Sequence, residues 1–141
     1  MYRPYNSNPK HNRVGDCTVR AISAGTGDDW YKTYTGLCVQ GFAMCDMPSS
    51  NAVWGEYLKG KGFERYIVPN TCPNCYTVKQ FCADNPDGAY LLALSSHVVA
   101  AINGDYYDIW DCGDEIPSFY YYKGVEHEYP TDYGNVSAVY E

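Results

Sequence analysis

Asn103-Gly104 divides two β-forming runs, SSHVVAAI before it and DYYDIWD after it. Asn-Gly accepts positive φ at both central positions of a type I′ turn, whose twist matches that of paired strands. The runs are therefore expected as antiparallel neighbours, with Ile102 facing Asp105 and His97 facing Trp110. Side chains alternate along a strand, so Tyr106, Asp108 and Trp110 share the face of His97 while Asp111 points away. Asp108 becomes the diagonal neighbour of His97, about 7–8 Å away between backbones and within side-chain reach. A three-residue loop with a G1 bulge would shift the register by one and give Asp111 that place.

The first sixty residues follow a helical period instead. Residues 1–14 of the chain, rich in Asn, Pro and Arg, read as an irregular lead-in. Asp16 is placed to cap a helix that starts at Cys17, carries Val19, Ala21 and Ile22, and stops at Gly25. Thr26 with Asp29 resembles a capping box for a second helix bearing Trp30, Tyr34, Leu37 and Cys38. A third helix is capped by Ser50 or Asn51, buries Val53, Trp54, Tyr57 and Leu58, and ends at Gly60. Residues 63–68 (FERYIV) read as a strand, 77–84 (TVKQFCAD) as a short helix capped by Thr77, and NPDG as a turn. AYLLALSS and HVVAAI read as one long β-rich run with His97 in its middle, and SFYYYK (118–123) as a further strand. From Gly124 the chain is acidic and turn-rich, a loosely attached tail in which His127 is one more polar residue. Helices first and an antiparallel sheet second make an α+β protein. A chain of 141 residues suits one domain spanning 1–141.

Composition excludes several functions. A net charge of −7 with ten scattered basic residues argues against a nucleic-acid surface. The apolar runs are too short to cross a bilayer, and MYRPYNSNPKHNR has no apolar signal core. Seven cysteines cannot form a closed disulfide set, so free thiols in a reducing cytoplasm are expected. The sixteen tyrosines are read as core and rim. Cys72 and Cys75 form a lone C-x-x-C; structural zinc needs four ligands, and Cys38, Cys45 and Cys82 supply no second knuckle. That segment reads as a Pro-containing loop, and neither metal nor cofactor is expected.

What remains is a constellation. Cys17 opens a helix, where the dipole favours a thiolate. His97 follows on a strand and Asp108 on the next. Cysteine catalysis needs these parts: a nucleophile, an imidazole that takes its proton, and a group that orients the imidazole. Arg20, one turn after Cys17, is placed to pair with Asp16 or another carboxylate. Trp110 sits where it can shield the histidine or simply fill the core.

GDCTVRAI and SSHVVAAINGDYYDIWD resemble the papain-like cysteine peptidase superfamily, over roughly residues 12 to 112. They look most like its minimal phage and gut-bacterial members, with a DC-x-V-R-A helix and an H-x-V-A-x-I-x-G-x-x-x-D-x-W-D hairpin. The resemblance implies a helix carrying Cys17 packed on an antiparallel sheet carrying His97 and the acid. It does not imply a substrate; the reaction expected is acyl transfer through a thioester, on a protein or peptide, in the cytoplasm (the host's, for a phage protein). Papain-like enzymes carry an oxyanion-hole glutamine six residues before the cysteine; here that position is His11, and Asn12 beside it is the candidate donor with the Cys17 N–H. Two other classes fit the same residues: a non-catalytic phage structural or host-interaction protein on this fold, and a transglutaminase-like enzyme with an amine acceptor. A thiol probe that selects Cys17 separates enzyme from non-enzyme.

Overall fold

Asn103 and Gly104 adopt φ of 50° and 84°, the pair of positive values that a type I′ turn requires. The turn sets Ile102 opposite Asp105, Ala101 opposite Tyr106 and Ala100 opposite Tyr107. This is the two-residue register; the bulged alternative does not form.

The computed structural model describes residues 1–124 of the chain; the expected tail beyond Gly124, with His127, lies outside them. The described residues form an α+β fold. Its elements are β1 (Tyr2–Pro4), α1 (Cys17–Thr26), α2 (Trp30–Met44), α3 (Asn51–Gly60), β2 (Glu64–Ile67), α4 (Val78–Asp84), β3 (Ala89–Leu94), β4 (His97–Ile102), β5 (Asp105–Asp108) and β6 (Phe119–Tyr122). One six-stranded sheet runs in the order β1-β5-β4-β3-β6-β2. The β1–β5 pair is parallel and the other pairs are antiparallel.

Four local expectations need correction. The lead-in is not wholly irregular: Tyr2, Arg3 and Pro4 pair with Tyr106, Tyr107 and Asp108 as an edge strand. Proline is tolerated at such an edge because the ladder loses nothing on its open side. The long β run is two strands, folded back at Ser95-Ser96 with Ser96 at φ 55° and Leu94 opposite His97. His97 is thus the first residue of β4, at a sheet end, rather than in mid-strand. Thr26 closes α1 instead of opening α2: its hydroxyl donates back to the Ile22 carbonyl at 2.7 Å, and Asp29 is the cap, accepting the Lys32 N–H at 2.7 Å. Helix α1 passes Gly25 and ends at Thr26, with Gly27 as its left-handed cap.

The central strands β3 and β4 are buried on both faces, whereas the edge strand β2 is exposed. Val19, Ile22, Leu37, Trp54 and Leu58 of α1–α3 pack with Leu91, Ala93, Val98 and Ala100. Val78 and Phe81 of α4 pack with Leu92, Val99, Ala101, Tyr106 and Cys112. Alternate residues of β3 and β4 thus enter different cores, which is why AYLLAL and HVVAAI are apolar throughout instead of alternating. Each large side chain buried there is worth about 1.5–3 kcal/mol. At Gly25 an added Cβ would lie 2.8 Å from Leu91 Cδ2, so the missing side chain lets α1 lie against the sheet. Ser50 and Thr77 cap α3 and α4 by accepting the Val53 and Gln80 N–H groups, both at 3.2 Å. Among the described residues, no helix is long and apolar enough to cross a membrane.

Candidate active site

Helix α1 begins at Cys17, and β4 begins at His97; the packing of α1 along β4 brings these two starts together. The half-buried Cys17 thiol is within hydrogen-bonding reach of the His97 ring, the Val98 backbone and the Thr18 side chain. Burial pushes the thiol up, but these hydrogen bonds and the positive imidazole outweigh it, and its pKa falls below the ordinary range.

The other side of the imidazole is held by Asp108. His97 Nε2 is hydrogen-bonded to Asp108 Oδ2, which leaves Nδ1 for the thiol. Burial disfavours the imidazolium; the bonds to Asp108, Cys112 and Cys17 and the Asp108 charge prevail, raising His97 to about 11. The same contacts thus favour the Cys17 thiolate and the His97 imidazolium together. Trp110 lies beside the ring, 5.0 Å between centroids and tilted by 41°, and is 41% exposed; it is near His97 as expected but not paired with it on a strand, because β5 ends at Asp108.

Asp108 has a full set of partners. Its Oδ1 accepts the Ile109 N–H at 2.7 Å and Arg20 Nη2 at 3.4 Å, and Oδ2 takes the Cys112 thiol at 3.6 Å besides His97. Asp111 is elsewhere: it accepts the Tyr106 hydroxyl at 2.5 Å and the Gly113 N–H at 3.0 Å. Asp108, and not Asp111, is the partner of the histidine.

Asp16 stands at the cap position of α1 but makes no cap hydrogen bond. Its carboxylate is committed to Arg20 Nη1, Trp30 Nε1 at 3.0 Å and Asn8 Nδ2 at 3.4 Å. A buried guanidinium outcompetes a backbone N–H for a carboxylate. The consequence is local: the first N–H groups of α1 are not capped by Asp16.

Asn12 is exposed in the loop before α1, and its carbonyl accepts from Asn6 Nδ2 at 3.2 Å. Among the described residues no hydrogen bond ties its amide to Cys17. Cys72 and Cys75 lie in the exposed loop between β2 and α4, outside the site.

Sequence reasoning missed Cys112. Its thiol is buried and contacts both Asp108 and His97, and burial raises its pKa. Its position one residue after the D-x-W-D motif was the available signal. His97, Asp108 and Cys112 place one ligand atom each within 4.8 Å of one another, a spacing compatible with a metal ion. Arg20 against the same carboxylate opposes a further cation there.

Comparisons with protein-family models, curated proteins and solved structures found no match for this chain.

Proposed function

We propose that this chain is a papain-like cysteine hydrolase that cleaves amide or isopeptide bonds through a thioester. The observation that carries this reading is the continuous chain from the Cys17 thiol at a helix start, through His97, to the buried Asp108 carboxylate. In this mechanism the Cys17 thiolate attacks the substrate carbonyl, and the His97 imidazolium gives its proton to the departing amine. The neutral imidazole then takes a proton from water, which attacks the thioester and releases the acid. Asp108 fixes the ring so that Nδ1 faces the sulfur throughout, and Arg20 fixes Asp108.

The oxyanion is assigned to backbone donors at the start of α1, with the Cys17 N–H foremost. Asp16 leaves that turn uncapped, and such donors aimed at a developing negative charge contribute to rate. The exposed Asn12 amide would have to swing inward to assist. A protein or peptide remains the substrate class.

The test is incubation with a complex peptide mixture, reading new termini by mass spectrometry. New termini that vanish in Cys17→Ala and in His97→Ala support the reading. Termini that persist in both variants, or an unchanged mixture with active-site thiol confirmed free, contradict it.

A further inference from the structure

The loop between β2 and α4 carries Cys72-Pro73-Asn74-Cys75, and nothing in the candidate active site uses it. Its two Sγ atoms lie 2.8 Å apart. That is inside the contact distance of two unbonded sulfurs and not far outside the bonded length of about 2.0 Å. Both thiols are exposed. The loop is tied locally: the Asn74 N–H reaches the Thr71 carbonyl at 3.0 Å, Thr71 Oγ1 donates to the Asn74 carbonyl at 2.6 Å, and the Cys72 N–H donates to Asn70 Oδ1 at 3.0 Å. The backbone therefore holds the two side chains in convergence without help from the core.

We propose that Cys72 and Cys75 are a reversible dithiol–disulfide site whose co-reactant is a small or protein disulfide. One thiol loses its proton and the thiolate attacks the external disulfide, forming a mixed disulfide and expelling one thiolate. The second thiol then loses its proton and attacks the loop sulfur of the mixed disulfide, expelling the other thiolate. The two protons end on the two released thiols, so the loop loses two electrons and the external disulfide gains them. Cys75 is held above the ordinary thiol range by its hydrogen bond with Cys72, a little burial and the Cys72 charge. Cys82 and Cys112 are buried and stay out of the exchange.

The experiment equilibrates the full chain with reduced and oxidised glutathione in stepped ratios, quenches with acid, alkylates and maps peptides by mass. The expected result is complete conversion of the Cys72–Cys75 peptide to an internal disulfide, two hydrogens lighter, which dithiothreitol reverses. Cys72→Ser should stop at one glutathione on Cys75. A Cys17→Ser chain should give the same conversion, so the outcome is independent of the active-site reading. The proposal is overturned if the peptide stays reduced while exposed Cys45 takes up glutathione. It is equally overturned if Cys72 and Cys75 each carry a separate glutathione, or pair with other cysteines.

Discussion

Arg20 joins the first turn of α1 to the end of β5: Nη2 lies 3.4 Å from Asp108 Oδ1, and Nη1 bonds Asp16. All three side chains are nearly inaccessible, at 5% for Arg20, 6% for Asp16 and 3% for Asp108. Removing one member leaves charges buried without a partner, which costs far more than losing a surface pair.

Arg20→Met is accordingly predicted to destabilise the chain by about 3–5 kcal/mol, measured by urea unfolding. Lys59→Ala breaks only the exposed pair with Glu56 and should cost less than about 1 kcal/mol. Equal losses for the two variants would contradict a structural bridge at Arg20.

The two aspartates after the hairpin should separate cleanly. Asp108→Asn removes the anion behind His97 and is expected to slow alkylation of Cys17 at about pH 6 by 10²-fold or more, the scale of a lost acid–base partner. Asp111→Asn loses a Tyr106 contact and should change that rate by only a few-fold. A larger effect at Asp111 would mean that the carboxylate behind the imidazole is misassigned.

Stability should respond to pH through His97. Its folded pKa, near 11, lies above its ordinary 6.5, so its contribution is complete below about 6.5 and is lost as pH rises toward 11. Cys17 runs the other way: a lowered pKa contributes above the ordinary 9.0 and loses that contribution as pH falls. The His97 loss is expected as a declining urea midpoint between pH 7 and 10, shallower in Asp108→Asn. Parallel curves for wild type and variant would show that Asp108 does not raise His97.

Chelation should leave thermal unfolding unchanged. Asp108 is already engaged by Arg20, the Ile109 N–H, His97 and Cys112, and a cation there would face the guanidinium. A lower melting temperature after exhaustive treatment with chelator, restored by zinc, would overturn this and make His97, Asp108 and Cys112 ligands.

Local signals made much of this arrangement legible. Asn103-Gly104 specifies its turn without tertiary help, and the register of His97 and Asp108 follows from counting. Ser50 and Thr77 cap where their spacing predicts. What escaped depends on partners distant in sequence. Tyr2–Pro4 has no strand signal of its own and becomes a strand only because β5 offers an open edge. Asp16 looks like a cap until a buried Arg20 claims it. The break at Ser95-Ser96 is hidden because both flanking strands are buried on two faces, which erases the alternation that would mark their ends. Cys112 enters the site through the α4-side core, and one residue's spacing from a motif does not reveal a contact made through packing.

The proposed function requires Cys17 and His97 to form a thiolate–imidazolium pair, and the rate of Cys17 alkylation against pH tests that most directly. Iodoacetamide reacts with thiolates, and at about pH 6 a thiol of pKa ~8.5 is almost wholly protonated. Limited treatment followed by peptide mapping should find Cys17, although half-buried, modified at least about tenfold faster than exposed Cys45. The rate should rise less steeply with pH than that of Cys45, because the Cys17 pKa is lowered, and His97→Ala should abolish the advantage. Cys17 labelling that is no faster than Cys45, and that rises with pH as an ordinary thiol does, would contradict the account.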